Sequence, residues 1–226
     1  DKYHKIRDAK VLILNFKKRK IMNSIIKSSL EKSMSYADYR DLVKQLVEAN
    51  STTGLEKSEA LANYTKLNDQ RMKRWDKTLA VSVAAQHKFM EFEQDITWLV
   101  IVESWCGDGA HMLPVINKIT ELNKHINLKI VLRDENPDLM DLFLTFESRS
   151  VPKLIMIDDE TGEVLNTYGP RPSEAAHFVH RYKSMYGALT PEFKEDLQHW
   201  YNTNKGQNII NDITDMLCEI EPNVCQ

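Results

Sequence analysis

The chain has 226 residues, 42% of them hydrophobic, which is enough for one domain with an elaboration or for two small domains. No apolar run approaches the ~20 residues that a membrane-spanning helix needs. The formal net charge of −3 argues against nucleic acid or an anionic membrane as a partner.

The cysteines are too few for a disulfide framework. There are three, Cys106, Cys218 and Cys225, and this count is typical of a reducing compartment. The apolar run at residues 11–14 is too short for the core of a signal peptide and lacks a small-residue cleavage site. We therefore predict a cytoplasmic protein.

The first third of the chain has a helical pattern. Apolar residues recur at steps of three and four positions from about Ser33 to Lys77, with a break at residues 50–54. This pattern predicts a helical N-terminal segment over residues 22–78. Residues 1–21 lack an orderly periodicity, and we expect them to form a disordered extension ahead of that segment.

The hydrophobic pattern changes in the middle of the chain, residues 79–187. After a helical stretch over residues 79–92, strand-like runs alternate with helical runs, which predicts strands joined by crossover helices. A turn-like run predicts that the last two strands form an antiparallel hairpin. The predicted order is β-α-β-α-β-β-α, its last helix starting near Ser173, and residues 188–226 are predicted to form a polar helical tail. The strand-like runs are residues 98–103, 128–132, 153–157 and 164–168, and the helical runs between them are residues 110–123 and 138–146.

One cysteine stands where a strand runs into a helix. Cys106 follows the apolar run at residues 98–102 and is flanked by Trp105, Gly107, Asp108 and Gly109. The positive end of a helix favours a thiolate over a thiol, and the thiolate is the reactive nucleophile. We expect the Asp108 carboxylate to be exposed and to oppose this effect weakly. The motif therefore predicts a pKa for Cys106 below the ~8.5 of free cysteine.

This element order, with Trp-Cys-Gly after the first strand, resembles the thioredoxin family over roughly residues 80–187. The further landmarks are Pro114 in the helix after Cys106, the run Asp134-Glu135-Asn136-Pro137, the run Ser150-Val151-Pro152 before a strand, and Gly169. The Trp-Cys-Gly-Asp form is similar to a bacterial thioredoxin-like group with a helical N-terminal segment. The resemblance implies an α/β fold, a central mixed sheet flanked by helices, here with a helical segment added at each end.

The resemblance also implies which residues form the site. Cys106 would be the nucleophile, and the bond between Val151 and Pro152 would be cis, with its loop packed beside the sulfur. The residues that would bind substrate are Trp105, Gly107, Asp108, Gly109, Val151 and Pro152.

Three departures from the thioredoxin pattern limit the functional prediction. Gly109 stands where a dithiol site has its resolving cysteine, which releases the mixed disulfide. The positions of the buried acid and the buried lysine that accompany that cysteine are occupied by Val100 and Ile130. A general dithiol reductase is therefore not expected.

Two hypotheses remain for the function. The first is a monothiol redox protein that acts through Cys106 on protein or small-molecule thiols and disulfides. It would have no metal or tightly bound cofactor, and glutathione or another low-molecular-weight thiol would be a candidate co-substrate. The second is a non-catalytic binding module built on the same fold. Cys218 or Cys225 could serve as an internal resolving thiol; otherwise Cys218 is expected to be a core residue and Cys225 an exposed residue of a fraying terminus.

Overall fold

The computed structural model describes residues 19–225, in which one mixed four-stranded sheet is covered by helices on both faces. No helix in this range is long and apolar enough to cross a membrane. The elements are α1 (19–31), α2 (Tyr36–Glu48), α3 (Glu59–Thr78), α4 (Val83–Glu91), β1 (Ile96–Val102), α5 (Gly107–Thr120), β2 (Ile126–Leu132), α6 (Pro137–Leu142), β3 (Lys153–Asp158), β4 (Val164–Tyr168), α7 (Ser173–Tyr186), α8 (Pro191–Asn204), α9 (Gln207–Ile220) and a final 3-10 turn (Pro222–Cys225).

The sheet has the strand order β2-β1-β3-β4. β1 pairs in parallel with β2 and antiparallel with β3, and β3 forms the predicted antiparallel hairpin with β4. The expected α/β fold, with a central mixed sheet and helices added at both ends, is confirmed. All seven residues of β1 are buried, so this strand lies at the centre of the molecule.

Alternate residues of β1 face two separate hydrophobic clusters, because successive side chains of a strand point to opposite faces of the sheet. Trp98, Val100 and Val102 belong to the larger cluster, which α2, α3, α5 and α9 complete. Leu99 and Ile101 belong to the smaller cluster, which α1 and α6 cover. Cys106 lies in this smaller cluster.

The helices differ from the predicted segments in detail. α4 starts at Val83 rather than at residue 79, and α6 ends at Leu142 rather than at residue 146. Of the predicted extension, residues 1–18 lie outside the described residues, and residues 19–21 are in α1. The chain after residue 188 is not a polar tail, because four side chains of α9 fill the larger cluster. They are Ile209, Ile210, Ile213 and Leu217.

The two C-terminal cysteines form a disulfide. Cys218 and Cys225 are bonded, with Cα atoms 5.7 Å apart, which is an ordinary separation for a disulfide. As expected, Cys218 packs against the larger cluster and Cys225 is exposed. This single disulfide was not predicted from the cysteine count. Bonded to each other, they are not free to resolve a mixed disulfide at Cys106.

Candidate functional site

The candidate site begins where β1 ends. Cys106 is the N-cap residue of α5, and its sulfur accepts a hydrogen bond from the backbone N–H of Gly109, 3.4 Å away. α5 continues through Pro114. The buried strand, the N-cap and the helix thus hold the cysteine at the helix N-terminus, where its sequence context predicts it.

The second part of the site is a cis peptide bond. The bond between Val151 and Pro152 is cis, as the resemblance implies, and the Cys106 thiol donates to the Val151 carbonyl oxygen at 3.2 Å. Gly169 packs on this loop with φ of 104°, and an added Cβ would lie 2.3 Å from the Pro152 carbonyl oxygen. Only glycine fits there, which explains this landmark of the sequence.

The Cys106 thiol is buried, with 8% of the residue exposed. Burial, followed by the negative charge of Asp108, raises the pKa of Cys106 to about 12, and the Gly109 N–H and the Arg171 charge lower it only in part. The expected pKa below that of free cysteine was therefore wrong. The physical reason is that the loss of hydration around the sulfur outweighs the stabilisation from the helix N-terminus.

Asp108 is also buried, against the expectation that its carboxylate is exposed. Its Oδ2 pairs with Arg171 Nη2 at 2.8 Å, and its Oδ1 accepts from the Tyr201 hydroxyl at 2.8 Å. Burial raises the pKa of this carboxyl, and the charge of Arg171 and the Tyr201 hydrogen bond oppose that shift. Neither Arg171 nor Tyr201 is among the site residues predicted from the sequence. The available signal was an aromatic residue within a polar helix.

A buried histidine connects the same helix, α5, to α3 and α8. His111 Nδ1 accepts from Trp75 Nε1 at 2.9 Å, so the proton of its ring is on Nε2, which donates to Gln198 Oε1 at 2.7 Å. The ring stacks on Tyr201 with centroids 4.2 Å apart. Burial lowers the pKa of His111 to about 3, which keeps the ring neutral. This residue therefore positions α8 on α5.

The loop before Cys106 is tied to the N-terminal helices by buried hydroxyl groups. Ser104 Oγ lies 2.8 Å from Thr65 Oγ1 of α3 and 3.0 Å from the backbone N of Thr53. Asn68 of α3 donates to the Ser104 carbonyl oxygen at 2.8 Å. The helical N-terminal segment thus forms one wall of the site.

Trp105 lies at the surface side of the loop. It is partly exposed, and the guanidinium carbon of Arg133 is 4.9 Å from its ring centroid. Trp105, Gly107 and Asp108 line a groove of about 550 Å³ between α3 and α8, named here the α3–α8 groove. The residues that the two helices contribute include Leu61, Tyr64, Leu67 and Arg71 of α3, and Lys194, Glu195 and Gln198 of α8.

The other predicted site residues lie on the buried side of the loop. Gly109, Val151 and Pro152 are all buried, and Val151 and Gly109 contact the Cys106 sulfur. The predicted residues thus form one continuous site with two sides. Within residues 19–225, no group of three or more His, Cys, Asp or Glu side chains could hold a metal ion.

Comparison with known proteins agrees with this fold. Two solved structures are similar to the chain, each at 18% sequence identity. A protein of unknown function from Pseudomonas aeruginosa has a TM-score of 0.54, over 69% of this chain and 89% of that one. An HIV epitope scaffold has a TM-score of 0.52, over 81% of this chain and 98% of that one.

No curated protein is significantly similar to the chain in sequence. The sequence profile of the family described as Thioredoxin matches residues 54–184, more than half of the chain. This range contains the N-capping cysteine, the cis-proline loop and the whole sheet. The chain therefore belongs to the thioredoxin family.

Proposed function

We propose that this protein is a monothiol redox protein whose Cys106 forms mixed disulfides when α8 moves away from the site. The observation that carries the proposal is the position of the Cys106 sulfur, which caps α5 and lies 3.2 Å from the cis-proline loop. Gly109 leaves this thiol without a resolving partner at the usual position. Within the family, we also propose membership of the bacterial group with Trp-Cys-Gly-Asp, supported by Trp105 to Asp108 and by the N-terminal helices.

The chemistry requires an external thiol. The Cys106 thiolate attacks one sulfur of a substrate disulfide, which forms a Cys106–substrate disulfide and releases the other sulfur as a thiolate. A low-molecular-weight thiolate then attacks the substrate sulfur of that mixed disulfide and restores the Cys106 thiolate. A second molecule of the same thiol can complete reduction of the substrate, so two small thiols are oxidised to one disulfide. Protein and small-molecule disulfides are the proposed substrates; the proposed cytoplasmic location rests on the cysteine count, and the Cys218–Cys225 disulfide does not favour it.

Burial of Cys106 opposes this reaction while α8 stays in place, so the proposal includes a movement of α8. The apolar contacts of α8 form a small cluster with α7, separate from both clusters of the sheet. Its contacts with α5 include the Tyr201–Asp108 and Gln198–His111 hydrogen bonds. Because few contacts join α8 to α5, we propose that α8 separates from α5 at a lower free energy than the core unfolds. Opening would admit water to the loop and lower the pKa of Cys106.

A second candidate function is a non-catalytic binding module. The observation that favours it is the raised pKa of Cys106, because a thiol that stays protonated is a poor nucleophile. A binding module would use the α3–α8 groove and would not need the sulfur.

The rate of Cys106 alkylation separates the two candidates. Cys106 is the free cysteine of residues 19–225, so iodoacetamide labelling followed by peptide mass spectrometry reports on it directly. Tyr201→Phe removes the hydroxyl that binds Asp108, and we expect labelling at neutral pH to be about tenfold faster than in the wild type. The control is Tyr186→Phe, which changes an exposed tyrosine of α7 and should leave the rate unchanged.

The redox proposal also predicts a covalent product. Incubation with oxidised glutathione should add one glutathione to Cys106, faster in Tyr201→Phe than in the wild type. Equal, slow labelling of the wild type and Tyr201→Phe, with no glutathione adduct in either, would favour the binding module.

A further inference from the structure

The α3–α8 groove has the size and lining of a small-molecule site. Its volume of about 550 Å³ lies within the range of roughly 300–1,000 Å³ that such sites occupy. On α3, Tyr64 is 48% exposed and Leu67 is 41% exposed, so apolar surface faces the open space. Trp105 and Gly107, the two neighbours of Cys106 in the chain, also line the groove.

The charges of the groove are unbalanced. Asp108 and Arg171 neutralise each other, which leaves Arg71 and Lys194 against one carboxylate, that of Glu195. Among the described residues, no carboxylate oxygen lies within 4.0 Å of the side-chain nitrogens of Arg71 or Lys194. The groove therefore presents two unpaired cations beside apolar surface.

Arg71 makes a single side-chain hydrogen bond among the described residues, so most of its guanidinium donors are available to a ligand. The side chain is partly buried, and its Nη1 donates to the Asn68 side-chain oxygen at 2.8 Å. The same Nη1 would lie 3.4 Å from a Cβ added at Gly107, so the guanidinium reaches the Cys106 loop. Asp108 acts on this cation from beyond ion-pair distance and is already paired with Arg171, so a bound anion would offset the remaining cost of burying the Arg71 charge.

We infer that the α3–α8 groove binds a carboxylate-bearing low-molecular-weight thiol, with Arg71 and Lys194 as the groups that hold its carboxylates. This inference rests on the proposed function, because the monothiol cycle needs such a thiol as its reductant. The apolar surface of Leu67 and Tyr64 packs against the carbon part of the ligand. The guanidinium fork of Arg71 suits a carboxylate, which it can bind with two parallel hydrogen bonds.

The test measures binding without any sulfur chemistry. S-methylglutathione, whose sulfur cannot form a disulfide, is titrated into the full chain by calorimetry, with its dimethyl ester, which has no carboxylate, as the control ligand. We expect saturable binding of the acid and none of the ester. Arg71→Met should raise the dissociation constant at least about tenfold, since a charge-assisted contact is lost. Lys77→Met, which removes the same charge from an exposed position of α3, should not change it.

A thermal melt establishes that each variant folds. Lys194→Met is the second groove variant, and because Lys194 is exposed, this substitution should leave the fold unchanged. Absence of binding, equal weakening by Lys77→Met, or no weakening by either groove variant would overturn the inference. Equal affinity for inorganic phosphate would overturn the assignment of an organic ligand. Cys106→Ser should bind S-methylglutathione normally. Binding without any glutathione adduct at Cys106 would reject the redox function and support the groove as a ligand site. An adduct without binding would support the redox function and reject the groove as the site of the thiol.

Discussion

At the scale of single residues, Gly109 explains why the site has one thiol. A Cβ added there would lie 3.6 Å from the Cys106 Cβ, within the range found in disulfides, but only 2.8 Å from Cγ2 of Val102. The backbone could therefore hold a resolving cysteine, and the branched, buried side chain of Val102 excludes it. The packing of β1 against α5 therefore leaves no room for a second thiol at position 109.

Gly109→Cys should destabilise the protein by about 1–3 kcal/mol because of this overlap. The double variant Gly109→Cys with Val102→Ala should lose less than the sum of the two single changes, because the second makes room for the first. Under oxidising conditions the double variant should form a disulfide between residues 106 and 109. Urea unfolding and free-thiol titration measure the two effects.

The control for this pair is Gly109→Ser, which adds the same Cβ without a sulfur. It should show the same loss of stability and the same rescue by Val102→Ala, but no change in free thiols. If Cys106 kept its free thiol after oxidation of the Gly109→Cys, Val102→Ala double variant, the geometry deduced for Gly109 would be wrong.

Cys106 itself should make stability depend on alkaline pH. Its pKa is about 12 in the folded state, against ~8.5 in the unfolded chain, so the folded state holds the proton more tightly between those values. Stability from this group is complete below the unfolded pKa and is lost as pH rises towards the folded pKa. The free energy of unfolding should fall by up to about 1.4 kcal/mol per pH unit in that window.

Cys106→Ser isolates this effect, since a serine hydroxyl does not titrate there. Urea unfolding of both proteins gives the difference in the free energy of unfolding, wild type minus variant. This difference should be smaller at about pH 10 than at about pH 8. A constant difference between the two would mean that the thiol is already hydrated in the native state.

At the scale of elements, Ser104 connects the Cys106 loop to α3 and to the loop of residues 51–54 through hydrogen bonds. Its hydroxyl lies within 3.2 Å of the hydroxyl oxygens of Thr52, Thr53 and Thr65. Ser104→Ala would leave these buried groups short of one partner, and we expect a loss of about 1–3 kcal/mol. Thermal unfolding measures the loss, with the exposed Ser28→Ala as control.

Hydrogen exchange would locate the effect of Ser104→Ala. Amides of residues 51–54 and of the loop at residues 103–106 should exchange faster, while β3 should stay protected. Faster exchange across the whole sheet would show that Ser104 supports the core rather than the attachment of α3.

The elements that the sequence predicts well are those fixed by neighbouring residues. The apolar run of β1, the N-cap at Cys106 and the proline before β3 are local patterns, and all three elements form as expected. The burial of Asp108 is not a local property, because its partner Tyr201 lies 93 positions away in the chain. The pKa of Cys106 was predicted in the wrong direction for the same reason, since desolvation depends on which distant segments pack over a residue.

At the scale of the whole molecule, the larger cluster is shared by three parts of the chain. Tyr39, Val43 and Met72 come from the helices before residue 79, and the buried face of α9 comes from the chain after residue 187. These side chains pack against the same cluster as Trp98 and the alternate residues of β1. The helices at both ends therefore contribute side chains to the core of the fold and are not peripheral additions.

The segment predicted as the thioredoxin-like domain, residues 79–187, should therefore not fold by itself. The four apolar side chains of α9 are at most 1% exposed, and burying them contributes about 6–12 kcal/mol in total. That is as large as the whole stability of an ordinary domain, roughly 5–15 kcal/mol. We expect the isolated segment to lack a cooperative thermal transition by circular dichroism, whereas the full chain unfolds in one step. A cooperative melt of the segment, or two separate transitions in the full chain, would show that the sheet carries its own core and that the terminal helices are independent additions.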